Sequence, residues 1–420
     1  MFAPRTLTPD VPSHRPSRRR VLLCLALAAG LLVPAPGGAR APGEVRALWV
    51  TRASLTTPAS ITALVESADQ SGFNTLLVQV RGRGDAYFAS TLEPRADPLA
   101  GQAADFDPLG SVITLAHARG LRVHAWINVG LVSSATDLPA SRTHIVYRHP
   151  EWLMLPRALA FELSQVDPRS PAYVGRLARW TRAEEDVEGL FASPVPRDAA
   201  DHLVAVVEDI ARRYPVDGVH LDYVRYPNQQ FDYSPGALRA FRQDLDASMT
   251  PAERRRFDPN SAAALIAATD TYPERWIGFR RSRLNALVLR MRTAVKASRP
   301  EALLSAAVYP DAAEASTRRL QDWSMWVENR WIDVVCPMAY TPDARIFATQ
   351  IASVRQVAGT QPVWAGIGAY RLSPGETIDN IMTARRLGAS GIVLFSYDSL
   401  VHPPRGLEYL TTVSRAAFTP

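Results

Sequence analysis

Eight short apolar runs, most of them followed by helical patterning, predict a (β/α)8 TIM barrel for this 420-residue chain. Two further observations agree. Hydrophobic residues make up 47% of the sequence, enough to bury a large core. Polar and aromatic side chains also gather at the ends of the runs, where a barrel of parallel strands builds its chemistry. A doubly wound open sheet is the alternative, but no Gly-rich phosphate loop follows the first run.

The elements follow in order. Val45–Arg52 is the first strand, and Pro58–Ser71 reads as the helix after it. Thr75–Gly82 leads to a helix over Asp107–Arg119, and Arg122–Asn128 is the third strand. A long connection, residues 129–198, separates it from the helix Ala199–Tyr214. Gly218–Tyr226 is the fourth strand, and a second long connection, residues 227–274, follows. In Arg275–Arg299 the apolar residues Ile277, Leu284, Leu287, Val288, Met291 and Val295 recur at three-to-four spacing until Pro300 ends the helix. Leu303–Tyr309, Val334–Tyr340, Pro362–Ala369 and Gly391–Ser399 are the remaining strands, with helices at Ser316–Asn329, Asp343–Ala358 and Thr377–Leu387. Both long connections leave strand C-termini and would overhang the mouth as insertions after strands 3 and 4. Their rings Trp152, Tyr173, Trp180, Phe191, Phe231, Tyr233 and Tyr272 either wall a cleft or pack the connections onto the barrel. Residues 42–420 read as a single domain.

The N-terminus stands apart. Residues 1–41 hold six arginines against one acid, so they carry five of the six net positive charges and leave +1 over the rest. The basic balance therefore does not argue for a nucleic-acid partner. Arg15 to Arg20 precede an apolar stretch of thirteen residues, Val21–Val33, and Ala39-Arg40-Ala41 offers a cleavage site. This is the succession of a signal peptide, with Ser17-Arg18-Arg19-Arg20 resembling the twin-arginine type. It predicts an exported, periplasmic or extracellular protein with no permanent membrane span after cleavage; an uncleaved anchor is the alternative. Cys24 lies in that stretch and Cys336 in an apolar run, which suits a buried packing residue better than a nucleophile.

If the aliphatic residues of each strand face the helices, the opposite phase lines the barrel and its mouth. That phase holds Ala47, Trp49 and Thr51; Leu77, Gln79 and Arg81; His124, Trp126 and Asn128; and His220 and Asp222. It continues with Ser305 and Tyr309, Met338 and Tyr340, and Trp364 with Gly366 and Gly368. Strand eight ends in Phe395-Ser396-Tyr397-Asp398, whose phase the pattern leaves open. Rings beside hydrogen-bonding groups suit a sugar, which presents C–H faces for stacking and a rim of hydroxyls. Layers of Val, Ile and Leu, the usual barrel filling, fit strands one to four poorly. His-Glu-x-x-His, P-loop and nucleophile-elbow motifs are absent. A cation between His124, His220 and Asp222 is a minor alternative; the reading takes no metal and no cofactor. Gly82-Arg83-Gly84-Asp85 reads as a turn presenting Arg81 and Asp85.

Several segments together resemble the glycosyl-hydrolase-like family ten. They are Val45-Arg-Ala-Leu-Trp-Val-Thr-Arg52, Gly72-Phe-Asn-Thr-Leu-Leu-Val-Gln-Val-Arg81 with Gly84-Asp85, His124-Ala-Trp-Ile-Asn128, His149-Pro-Glu-Trp-Leu153, and Asp217-Gly-Val-His-Leu-Asp222 with Tyr226-Pro227. The resemblance spans nearly all of the chain after the signal. It implies an exported bacterial barrel acting on glycans, peptidoglycan strands among them. Many members carry two adjacent acids at the end of strand four, where this chain has Asp222-Tyr223. The segment also looks like the chitinase motif Asp-Gly-x-Asp-x-Asp-x-Glu, but His220 replaces one acid and Val224-Arg225 stand where the glutamate is expected.

Glycoside hydrolysis asks for two carboxyl groups, one a general acid with a raised pKa. Asp222, at a strand end among rings, is the candidate acid, with His220 placed to orient it. Asp85, Asp311 and Asp398 follow strands at the same barrel end and are candidates for the second carboxyl, unless a sugar N-acetyl group serves instead. Substrate-binding candidates are Trp49, Arg81, Trp126, Asn128, Arg225, Tyr309, Tyr340, Trp364 and Tyr397. Asp217 reads as a structural turn residue at the far end. The expected partner is a polysaccharide or glycan strand, hydrolysed by carboxylate acid/base catalysis; a non-catalytic glycan-binding barrel is the alternative, favoured by the missing second acid at position 223.

Overall fold

The computed structural model describes residues 43–403 and 405–418. The segment read as an export signal lies outside the described residues. From Glu44 onward the chain forms one compact unit. Eight parallel strands close into a barrel, each bonded to the next in chain order and the eighth to the first. They are β1 Val45–Val50, β2 Thr75–Arg81, β3 Arg122–Asn128, β4 Gly218–Asp222, β5 Leu303–Val308, β6 Val334–Ala339, β7 Trp364–Ile367 and β8 Gly391–Phe395.

Helices cover the outside, and their starts follow from local chemistry. Thr57, Asp107 and Ser373 each accept a backbone N–H of the first turn, and each is followed by a proline whose missing N–H costs nothing there. The helix expected over Ser316–Asn329 is two helices, Ala312–Arg318 and Trp323–Glu328, because Leu320 between them adopts φ 54°, outside helical space. Glu408–Ala417 covers the barrel after β8, where the sequence reading had no helix.

Two strands end earlier than their apolar runs. β4 stops at Asp222 rather than Tyr226, since Tyr223 turns into the left-handed region at φ 49°. β8 stops at Phe395 rather than Ser399, and Tyr397–Val401 is already helical. The connection after β3 folds as a small ribbon, Leu131–Ser133 against Leu190–Phe191, with helices at Ile145–Arg148, Arg157–Ser164 and Pro171–Arg182. The connection after β4 holds three helices, Pro235–Leu245, Pro251–Arg256 and Ala262–Thr271.

The rings in these connections pack the connections. Trp152 stacks on His149 with centroids 3.9 Å apart, Trp180 meets Phe231, Tyr233 meets Trp276, and Tyr272 meets Phe257. Tyr173 is buried among Leu163, Val174 and Leu177. Short amphipathic helices must bury their apolar faces locally, and these rings are the material they use.

Inside the barrel the filling is large rings set against glycines. Trp49, Trp126 and Trp364 are each no more than 3% exposed, and His124 and His220 are fully buried. A Cβ on Gly366 would come within 2.8 Å of Trp49, one on Gly391 within 2.7 Å of Trp364, and one on Gly218 within 2.3 Å of His124 Nδ1. Each bulky ring thus occupies the space a neighbouring side chain would need. Gly218→Ala is therefore expected to lower stability by about 1–3 kcal/mol through overpacking. Gly278→Ala, at a half-buried helical position with no atom within 4 Å of the added methyl, raises it by about 0.5–1 kcal/mol. Thermal unfolding of the two variants checks the pair.

Candidate active site

The C-terminal ends of the strands open on a cleft of about 930 Å³. Trp49, Gln79, Trp126, Asn128, Asp222, Tyr309, Met338 and Tyr340, all of the predicted inward phase, line it. Tyr223, Arg225, Tyr370 and Phe395 join them from the loops and from the end of β8. The connection after β3 contributes Leu131 and Glu188; residues 227–274 contribute no lining residue. The seven rings of the two connections are absent from this wall, for the packing reason given above.

Asp222 is 8% exposed at the last position of β4. The Trp126 indole N–H donates to its Oδ2 at 3.1 Å and the Tyr223 amide to its Oδ1 at 2.6 Å. The sharp turn at Tyr223 folds that amide back onto the carboxyl. Burial pushes the Asp222 carboxyl up to about 6, against the Tyr223 amide, the Arg225 cation and the indole, which favour the charged form; Glu188 adds to the rise.

His220 lies one pleat deeper. Trp49 Nε1 donates to His220 Nε2 at 3.0 Å, so the ring proton sits on Nδ1 and is shared with Ser305 Oγ at 2.9 Å. Burial, and then the neighbouring His124, lower its pKa to about 3, so the ring is neutral near pH 7. The expected orienting bond from His220 to Asp222 is replaced by this one: successive same-face residues on a strand are roughly 6–7 Å apart, and both ring nitrogens are engaged. The ring holds Trp49 upright instead. His124 lies lower still, edge-on to Trp364 at 5.2 Å. Among the described residues no three His, Cys, Asp or Glu side chains are placed together to hold a metal.

The remaining candidates lie outside the cleft wall. A register shift between Gln79 and Arg81 turns Arg81 out of the lumen. There its guanidinium grips fully buried Glu93 at 2.6–2.9 Å and donates to the carbonyls of Asn128 and Val129. Burial alone would raise the Glu93 carboxyl, but Arg81 and His202 hold it down at about 2. Trp364 is buried with His124 below the cleft. Tyr397 packs into the outer core, its hydroxyl 3.5 Å from Ser67 Oγ. Asp398 accepts the Thr51 amide and the Ser54 hydroxyl, each at 2.7 Å, and so ties the end of β8 to the turn after β1. Asp85 accepts the Arg83 amide at 2.8 Å and faces an adjoining cavity of about 190 Å³. Asp311 caps the helix Ala312–Arg318. Asp217, at the opposite end of β4, accepts the Val123 amide.

Arg225 is 4% exposed and pairs with Glu188 at 2.6 Å, while its Nη1 is buried without a partner. Its guanidinium lies 4.7 Å from the Tyr223 ring centre and 5.5 Å from that of Tyr309. Glu188, Tyr223 and Tyr370 escaped the sequence reading because they come from irregular segments, where no strand period announces a side chain's direction.

Comparison with known proteins agrees with this architecture. The glycoside hydrolase domain of PgaB (BpsB) from Bordetella bronchiseptica superposes with a TM-score of 0.61 at 16% identity, covering 90% of this chain and 100% of that one. The catalytic domain of β-amylase from Paenibacillus polymyxa gives 0.57 at 11% identity, covering 90% and 100%. At such identities the likeness is one of fold, a TIM barrel. The class is that of the barrel glycosidases. The chain belongs to the glycosyl hydrolase-like 10 family, whose pattern matches residues 44–372. Its relatives include Glycosyl hydrolase DigH of Escherichia coli K12, 26% identical over 334 residues, 76% of this chain and 67% of that protein. Glycosyl hydrolase YngK of Bacillus subtilis 168 is 28% identical over 169 residues, 39% of this chain and 27% of that protein.

The Arg81–Glu93 pair yields a prediction opposite to a substrate-binding role. Glu93→Gln strands a buried cation and is expected to cost about 3–5 kcal/mol of stability while the folded fraction keeps its KM. Because the folded Glu93 pKa lies below its ordinary value of 4.5, the pair's contribution is full above that pH and is lost as pH falls toward about 2. Denaturant unfolding of wild type and Glu93→Gln between pH 7 and 3 checks both statements.

Proposed function

We propose that this glycosidase cleaves glycosidic bonds in a bacterial envelope or extracellular polysaccharide, peptidoglycan glycan strands among them, with Asp222 as the general acid. The observation that carries the reading is a carboxyl at the end of β4, buried under rings and held up at about 6, opening on the cleft. Such a group keeps a useful protonated fraction near neutrality and can hand a proton to a leaving oxygen. The second carboxyl that hydrolysis requires is Glu188, on the cleft wall and ion-paired with Arg225. It takes the place of the acid missing at position 223. Arg225 and Asn128 give the cleft wall its polar contacts for sugar hydroxyls, and Trp49, Trp126, Tyr309 and Tyr340 supply apolar faces for the rings.

The work is proposed to be done outside the cytoplasm, on the strength of the basic, apolar and small-residue succession before Pro42. Among the described residues no helix is long and apolar enough to cross a membrane. A mature N-terminus within a few residues of Pro42 is expected from N-terminal sequencing of protein from the envelope fraction; an intact Met1 in a membrane pellet overturns it.

Asp222→Asn is expected to lower kcat by roughly 10²–10⁴-fold with glycan affinity little changed. A dinitrophenyl glycoside, whose leaving group needs no proton, recovers much of that loss. For wild type, kcat/KM falls as pH rises through about 6, because the acid form is the active one. Full turnover in the Asn variant at unchanged stability removes Asp222 from the mechanism.

A further inference from the structure

The cleft continues past Gln79 into the adjoining cavity of about 190 Å³, and Arg52 and Arg83 line both spaces. We propose that these two guanidinium groups form a subsite for a carboxylate borne by a sugar unit, so that the glycan this site takes is acidic. The inference rests on the hydrolase reading for its substrate class and adds to it the charge of the substrate and the residues that read it.

The arrangement is built. Arg52 enters from the turn after β1, which Asp398 clamps through Thr51 and Ser54. Its Nη1 donates to Gln79 Oε1 at 3.0 Å. It lies flat over Gly82: a Cβ there would come within 2.7 Å of both Arg52 Cδ and Arg52 Nη1. Gly84, at φ +69°, passes the backbone beneath His144, where a Cβ would meet the ring at 2.9 Å. The two glycines let the turn come close to Arg52 and aim Arg83 beside it.

Among the described residues neither guanidinium makes an ion pair, and the Arg83 side chain makes no hydrogen bond. Asp85 and Asp137 of the adjoining cavity act on Arg83 through space, but among the described residues no acid of that cavity forms an ion pair with either guanidinium. Asp85 accepts the Arg83 amide, Asp97 accepts the Ala140 amide, and Asp137 is bonded by the Thr136 hydroxyl. Arg95, the cavity's other cation, is spent on backbone carbonyls of Ala103 and Phe106. Burial, and then the neighbouring Arg52 cation, lower the Arg83 pKa, while Tyr223, Asp85 and Asp137 oppose the shift. An anion between Arg52 and Arg83 would cancel the repulsion and engage their donors in the fork geometry a carboxylate matches.

The test uses the full chain and one glycan in two forms, carboxyl groups intact or chemically reduced to alcohols. Uronic acid strands and strands with an ether-linked acid form separate arms and tell which carboxylate the subsite reads. Wild type is expected to bind the acidic form on the order of 10- to 100-fold more tightly, a preference that fades with added salt. Arg83→Gln loses that factor on the acidic form and little on the reduced one, so the two changes are non-additive. Gly82→Ala keeps both cations but displaces Arg52, and gives the same pattern where Arg83→Gln fails to fold. Equal affinity of wild type for both forms overturns the proposal, as does an equal loss on both in the variants. Binding is measured by calorimetry on Asp222→Asn as well as by turnover. Absence of products with the charge preference intact would sink the hydrolase reading and leave the subsite standing.

Discussion

The lumen of a barrel has to be filled, and the way this one is filled sets everything above it. Rings rather than aliphatic layers occupy the interior, and rings need both space and hydrogen-bond partners. Gly218, Gly366 and Gly391 give the space. The run from the Trp49 indole through His220 to the Ser305 hydroxyl, and on to the Val219 carbonyl at 3.5 Å, gives the partners. Once that chain is set, Trp49 is upright and the cleft has a closely packed floor. Asp222 is buried because of that floor, and its raised pKa is a consequence of packing before it is a matter of charge.

Charge is then distributed around that floor with some economy. The pair buried on both sides, Arg81 with Glu93, lies behind the wall and ties the ends of β2 and β3 together through the carbonyls of Asn128 and Val129. The pair that faces the cleft, Arg225 with Glu188, leaves donor capacity over. Toward the adjoining cavity Arg52 and Arg83 make no ion pair among the described residues. Passing from wall to mouth, ionic groups change from satisfied to available, which is the gradient expected when structure gives way to recognition.

Much of this could be read from the sequence, and the failures share a cause. The eight strands and most helices follow from regular periods, and the inward phase of β1, β3, β4 and β6 holds because nothing interrupts those strands. A single bulge after Gln79 reverses the direction of Arg81, and no residue pattern marks it in advance. A left-handed Tyr223 ends β4 inside what looks like a continuous run. Glu188 and Arg83 come from a loop and a turn, where side-chain direction is decided by distant contacts such as that of Gly84 with His144. The aromatic rings of the two long connections misled for a related reason: composition reports that a segment has rings, but not which surface they cover.

The clamp that Asp398 forms between the end of β8 and the turn after β1 has one more consequence. It joins residues 344 and 347 positions apart in sequence, and the pairing of Trp49 with Phe395 closes the sheet at the same seam. Trp49 and Arg52, although near the start of the chain, therefore reach their final positions only when the last strand is in place. A growing polypeptide would carry a complete fourth strand with Asp222, yet no floor beneath it and no cationic edge beside it. The cleft is a property of the closed ring, so a half-made barrel has no weak version of it and no means of acting early on a glycan.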